Sequence, residues 1–320
     1  MSQNSKFDIQ VISTLEHFER ASLLRNLSFI HGPISGREML HHTELFPKDK
    51  KMRKLIVQKD GVDFAYLSIL EAYWADEADL ISWNLSFDPA QITRQEYFAL
   101  YEICLANSLE LGAKKLNHWA ESTQVIAVQC LRELGYVEGQ KNPCTRLDVE
   151  AFDLQKWKDS VQLPAGFYLM TGDEVKEAHP DTWKHMFWRF EMDSLADVPL
   201  PSPFIETTFE KFEEEISGPY AHLMHRVFAM DGNKIASGSQ IERYAANPSL
   251  GHIAISGTMR EHRRKGLARI LKILSIESAK EAGIKFIYTD NEQSNPLLKV
   301  NFELGYEHIS DFMNFTKEVI

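Results

Sequence analysis

The stretch Gly257-Thr258-Met259-Arg260-Glu261-His262-Arg263-Arg264-Lys265-Gly266-Leu267-Ala268 joins two differently patterned segments. Before it, Ile253 and Ile255 alternate with smaller residues at the period of a strand. After it, Leu267, Ile270, Leu271 and Leu274 recur at the period of a helix. Arg263, Arg264 and Lys265 fall between them, where a helix opens with unpaired backbone N–H groups. A cationic, glycine-containing loop at the positive end of a helix is a site for a phosphate-bearing ligand. The segment 260–272 carries Arg260, Arg263, Arg264, Lys265, Arg269 and Lys272 opposed only by Glu261, in a chain of formal net charge -11.

That acidic balance argues against non-specific binding to nucleic acid or to an anionic membrane. A chain of 320 residues favours two domains over one. No apolar run is long enough to span a bilayer, and the first seven residues lack the apolar core of a signal peptide. Cys104, Cys130 and Cys144 are widely spaced, without a C-x-x-C pair, which is the usage of a reducing, cytoplasmic compartment. His41, His42 and Glu44 have no further ligand at useful spacing, so they read as a polar helix face and no metal is expected. G-x-x-x-x-G-K-[ST] and G-x-G-x-x-G are both absent, which disfavours nucleotide hydrolysis and dinucleotide binding.

Taken in order, the chain reads as strand 8–12, helices 15–27 and 36–45, a hairpin 53–57 and 62–70 around Lys59-Asp60-Gly61, and strand 79–87. A helix follows, capped by Thr93 and stopped at Gly112, then strand 115–120 and a helix from 122 ending at Leu134-Gly135-Tyr136. The same order returns as strand 167–170, helices 181–191 and 205–216, a hairpin around Asp231-Gly232-Asn233, and strand 252–259. It continues with helix 266–282 stopped at Gly283, strand 285–289, a helix from Asn295 to Leu304-Gly305-Tyr306, and a strand 313–316. Gly112 and Gly283 lie 171 positions apart, and the two Leu-Gly-Tyr triplets lie 170 apart. The chain is thus two copies of one α/β unit. At that offset Ile92-Thr93-Arg94-Gln95-Glu96-Tyr97 stand opposite 263–268, with neither the glycine nor the cationic run.

Arg263-x-x-Gly266-x-Ala268, between a strand and a helix, resembles motif A of the Gcn5-related N-acetyltransferases (GNAT). Thr289-Asp290-Asn291, Asn295-Pro296-Leu297-Leu298, Asn301 and Leu304-Gly305-Tyr306 resemble that family's second motif. The tandem arrangement is similar to mycothiol-synthase-like two-domain members. The resemblance implies an α/β fold of two GNAT-like domains, each a twisted mixed sheet flanked by helices. They are a degenerate N-terminal domain 1–152, a linker 153–164 and a C-terminal domain 165–320 with an acetyl-CoA site. It implies acetyl-CoA as donor, with the pyrophosphate over the N–H groups of Arg264, Lys265, Gly266, Leu267 and Ala268. Arg263 and its neighbours would meet phosphate charge, and Thr258 and Met259 would pair with the thioester arm. Asn291 and Asn295 would lie beside the cofactor, Asn295 doubling as a plain N-cap. Ser256-Gly257 is the expected place of a strand bulge.

The acceptor is expected to be the amine of a small molecule attacking the thioester directly. The family often has a tyrosine four residues before the final glycine as proton donor, where this chain has Asn301. His252 and Glu242 are the candidates for a general base. Phe187, Trp188, Phe190, Asp193, Asp197, Glu206, Glu210 and Glu213 to Glu215 would line an acceptor site for a cationic amine. The alternative is a non-catalytic acyl-CoA-binding or regulatory protein of the same fold.

Overall fold

The computed structural model describes residues 7–201 and 203–319; the polar stretch 1–6 lies outside them. The first repeat runs β1 (Phe7–Val11), α1 (Leu15–Ser28), α2 (Gly36–Glu44), β2 (Met52–Lys59), β3 (Val62–Glu71), β4 (Leu80–Phe87), α3 (Arg94–Glu110), β5 (Lys115–Glu121), α4 (Val125–Glu133) and β6 (Val137–Asp148). After a 3-10 stretch, Leu154–Ser160, the second runs β7 (Phe167–Thr171), α5 (Gly172–Ala178), α6 (Trp183–Leu195), α7 (Phe209–Ile216), β8 (Met224–Asp231), β9 (Lys234–Arg243) and β10 (Leu250–Thr258). It ends with α8 (Leu267–Glu281), β11 (Phe286–Asp290), α9 (Pro296–Glu303) and β12 (Glu307–Glu318).

The β2 and β8 spans lie 172 positions apart, as do those of β3 and β9. Even the register shifts correspond, between Val57 and Gln58 in one hairpin and between Ala229 and Met230 in the other. Asp60 and Gly61 both take positive φ, 52° and 79°, as a two-residue hairpin turn with the right twist requires.

The residues group into two compact units, Met1–Asn142 with Leu200–Ile205 and Ser310–Ile320, and Pro143–Pro199 with Glu206–Ile309. These units cut the chain differently from the 153–164 linker. Each repeat gives its last strand away: β12 pairs antiparallel with β5, and β6 pairs antiparallel with β11. The sequence predicts no strand for β6, because Gly139, Gln140, Lys141, Asn142 and Pro143 interrupt any apolar alternation.

Among the described residues each unit has a short parallel strand pair. In the first unit β4 and β5 pair only from Leu80↔Lys115 to Ser82↔Asn117. In the second, β10 and β11 pair only from Leu250↔Phe286 to His252↔Tyr288. Beyond those pairs the strands part, leaving one edge of β4 and of β10 without a parallel neighbour. The first unit's largest core packs Trp83, Leu85, Phe87, Tyr97, Tyr101 and Leu131 between the sheet and α3 and α4. In the second, Ile273, Ile276 and Ile287 pack on one side of the sheet, and Phe187, Phe190 and Phe228 form a separate cluster.

One helix starts later than expected, and one was not expected at all. α7 begins at Phe209 because the Thr208 hydroxyl caps it, accepting from the Lys211 N–H at 3.4 Å. α5 is seven residues long, too short to show a period, and is set by a Thr171–Glu174 capping box.

Candidate functional site

The cationic loop 259–266 lies between β10 and α8. Gly266 is the N-cap of α8 at φ +81°, and no side chain caps the helix. Arg264 also sits in the left-handed region at φ +61°. The first backbone bond into α8 is Ile270 N–H to the Gly266 carbonyl, so the N–H groups from Arg264 to Arg269 find no acceptor among the described residues. Such a row at a helix N-terminus is a cradle for an anion. A Cβ on Gly266 would meet nothing within 4 Å, so the glycine is required by its φ, and open space lies before it.

The cations around the cradle are less free than their density suggests. Arg260 and Arg263 both ion-pair with Asp197, just past the end of α6. The two guanidiniums hold the Asp197 carboxyl well below the usual range, at about 2. Arg263 also donates to the Thr258 carbonyl at 3.1 Å. Lys265 places its ammonium 5.0 Å from the centre of the Phe167 ring. Arg269 pairs with Glu303 at 3.3 Å, and Lys272 is almost wholly buried, its ammonium pulled down to about 7. The cluster is a clamped loop rather than a loose patch, and Asp197 belongs to it rather than to an acceptor site.

Thr258 and Met259 end β10 on the side of β9. Ser237 Oγ lies 2.8 Å from both the Gly257 carbonyl and Thr258 Oγ1, and Met259 N–H donates to the Ala236 carbonyl at 2.9 Å. The bulge is not at Ser256-Gly257. It lies at Ala254, where the register with β9 shifts between Ile253 and Ile255. Gly257 has another cause: a Cβ there would collide with Ser194 of α6. Gly238 on β9 serves the same helix, since a Cβ would come within 2.6 Å of Phe190. The two glycines let α6 lie close on the sheet.

Leu267 is buried against Val227, Ala229 and Ala236, and Ala268 follows it in the first turn. Asn295 caps α9, its Oδ1 accepting from Leu297 N–H at 3.0 Å, with Pro296 at the first position. Asn291 accepts at 2.7 Å from Asn301 Nδ2, and Asn301 is fully buried. Asn301 thus ties α9 to the end of β11, and its amide offers no acidic proton.

His252 and Glu242 are register partners on β10 and β9, with Nε2 and Oε2 3.6 Å apart. The ring stacks on Tyr244, and burial pulls His252 down to about 4, so it is neutral near pH 7. Three residues join this sheet face that the sequence reading missed. Arg226 on β8 donates to Gln240 at 3.2 Å, and Glu191 of α6 reaches Gln240 beside the Arg226 charge. Burial pushes the Glu191 carboxyl up and the Arg226 guanidinium down. His252 Nδ1 and Ser194 Oγ are buried without a partner among the described residues. Orphan donors and acceptors at the parting of two strands fit a polar ligand there. Glu191 could have been found as the acid that directly follows the Phe187–Phe190 aromatic run. Asp193 and Glu206 are taken by Arg189, and Glu213 by Lys184. Among the described residues no group of three or more His, Cys, Asp or Glu could hold a metal ion, and no helix is long and apolar enough to cross a membrane.

No family model and no curated protein matches the sequence. Solved structures do match the fold. A tandem GNAT protein from the clavulanic acid biosynthesis pathway, solved without AcCoA, superposes with a TM-score of 0.75 at 17% identity, over 98% of each chain. A GCN5-related N-acetyltransferase from Sphaerobacter thermophilus gives 0.65 at 12% identity, over 98% of this chain and 95% of its own. An acetyltransferase from the GNAT family of Colwellia psychrerythraea gives 0.59 at 10% identity, over 97% and 100%. Two copies of one α/β unit, each with a strand pair that parts after three parallel register pairs, have the tandem fold of the Gcn5-related N-acetyltransferases.

Proposed function

We propose that the second unit transfers an acetyl group from acetyl-CoA to the amine of a small molecule by direct attack. The observation that carries this reading is the uncapped start of α8 immediately after the free edge of β10. A pyrophosphate on the amides of Arg264 to Ala268 would send the pantetheine arm along that edge, past Met259 and Thr258. The thioester would then lie toward the Ala254 bulge, near His252, Glu242 and Glu191.

A neutral His252 accepts a proton without first losing one, and Glu242 at 3.6 Å can steady the imidazolium that results. Holding the two reactants at one place accounts for much of the expected rate. Four of the acids expected to attract a cationic amine, Asp193, Asp197, Glu206 and Glu213, are bound to arginine or lysine. Charge complementarity to such an acceptor is left to Glu191 and Glu242 on the sheet face and to Glu210, Glu214 and Glu215 of α7. The three cysteines, none of them in a disulfide among the described residues, suit a cytoplasmic enzyme.

The second reading, acyl-CoA binding without turnover, is favoured by one feature. Asn301 is locked to Asn291 at the position where the family often has a proton-donating tyrosine. Thioester cleavage measured with a panel of small amines separates the two. Turnover with at least one amine is expected, falling at least tenfold in His252→Ala at unchanged acetyl-CoA affinity. Tight acetyl-CoA binding with no turnover on any amine would leave the second reading standing.

A further inference from the structure

The first unit holds a cavity of about 370 Å³, the size of a small-metabolite site, on the face of its sheet beneath α1 and α2. The sheet face there is polar in a regular way. β4 sends Ile81, Trp83, Leu85 and Phe87 into the core and Ser82, Asn84 and Ser86 to the other side. Lys54, Ser68 and Asn84 stand side by side on β2, β3 and β4, and Tyr66 stands beside Ser86 in the next row. A sheet face covered by helices would be cheaper to bury if it were apolar, as it is nearby where Phe18, Leu24, Met39 and Ile56 pack.

The charge of this cavity is one-sided. Arg25, His42 and Lys54 line it, and no acidic residue does. His42, expected on a plain polar helix face, thus borders a cavity. Lys54 donates to Thr43 Oγ1 at 2.5 Å and lies 5.6 Å from the Phe18 ring centre, with no carboxylate in ion-pair reach among the described residues. Burial pulls its ammonium down to about 8, leaving it mostly charged at neutral pH. Glu38 feels the Arg25 charge, but its carboxylate accepts from the Ser35 N–H at 3.3 Å as the cap of α2.

The second unit shows what such a cation looks like when its charge is answered. Arg226 occupies the position of Lys54 in the repeat, 172 residues on, and it has Glu191, Glu242 and Asp173 around it and Gln240 as acceptor. Among the described residues no carboxylate is within ion-pair reach of Lys54.

We propose that the cavity of the first unit binds a small organic carboxylate, its anionic end on Lys54 and Arg25 and its apolar body against Phe29, Met39 and Phe312. A carboxylate suits it better than a phosphate because no helix amides are offered. The starts of α1 and α2 are closed by the Thr14 and Ser35 hydroxyls.

The test is ligand-observed NMR and calorimetry on the full chain with benzoate and hexanoate as probes. Benzamide serves as the neutral isostere and phenyl phosphate as the other anion. Binding of a carboxylate is expected at least tenfold tighter than benzamide, lost in Lys54→Met and Lys54→Gln, with acetyl-CoA binding unchanged in both. Equal binding of benzoate and benzamide, no binding of either carboxylate at 10 mM (about the weakest range of specific recognition), or undiminished binding in the Lys54 variants would overturn it. So would tighter binding of phenyl phosphate. The benzoate–benzamide comparison needs no variant and stands even where a substitution impairs folding. None of these readouts depends on acetyl transfer by the second unit.

Discussion

The starts of α3 and α8 follow equivalent strands, and they solve the same problem in opposite ways. α3 satisfies its own first turn: Thr93 Oγ1 accepts from Glu96 N–H at 3.3 Å, and Glu96 returns a carboxylate oxygen to Thr93 N–H at 2.8 Å. Lys59 then pairs with Glu96 at 2.5 Å, closing the site with charge. α8 has Gly266 in place of a capping side chain and leaves its amides open. A capping box gains stability at the cost of any external anion, because it fills the donors and adds a negative charge where a phosphate would lie. One repeat has a finished helix, the other a row of open amides.

The largest effect that would break this contrast is at Gly266. Gly266→Glu places a carboxylate over the open amides, and acetyl-CoA affinity measured by calorimetry is expected to fall more than 100-fold. The circular dichroism spectrum should be retained, since a Cβ there meets no neighbour and the strain of a side chain at φ +81° is confined to the loop. Unchanged affinity would put the pyrophosphate elsewhere.

Next is Asp197→Ala, which frees Arg260 and Arg263 from their common partner. Loss of a preset loop should weaken acetyl-CoA about tenfold, roughly the value of one charge-assisted contact. Tighter binding would mean that Asp197 competes with the phosphates instead of organising their site. Asp197 is held at about 2, so this ion-paired contribution is present above the ordinary carboxylate pKa and is lost only as pH falls toward 2.

pH offers a third comparison. His252 in the second unit and His118 in the first are both pulled by burial to about 4. Their folded pKa values lie below the unfolded one, near 6.5, so the unfolded chain binds more protons between those limits. Stability is expected to fall as pH drops from about 6.5 to 4, and thermal melts of His252→Phe and His118→Phe should each flatten that slope. The rate of acetyl transfer should show no histidine step near pH 6.5; a step there would mean that His252 titrates as an ordinary imidazole. The smallest effect belongs to Thr93→Ala. Removing that cap should cost about 1 kcal/mol in denaturant unfolding, with acetyl-CoA affinity unchanged.

Much of this was legible in the sequence, and the rest has identifiable reasons for being hidden. Thr93, Gly266 and the two Leu-Gly-Tyr triplets announce the repeat and its asymmetry because caps and stops depend on local geometry. The strand exchange was invisible: nothing in 137–148 distinguishes pairing with β5 from pairing with β11. The bulge was misplaced because Gly257 signals close approach, here of Ser194, as readily as an irregular strand. Asp197 looked like a free acid, since its arginines lie more than sixty residues away. Ser82, Asn84 and Ser86 were in plain view, but alternation alone does not tell a solvated face from one lining a cavity.

The most direct test of the account is the stoichiometry of acetyl-CoA binding to the full chain by titration calorimetry. One site per chain, removed by Gly266→Glu and untouched by Thr93→Ala, is the predicted result. Two sites per chain, or one site that survives Gly266→Glu, would contradict the claim that the open start of α8 is the donor site and the closed start of α3 is not.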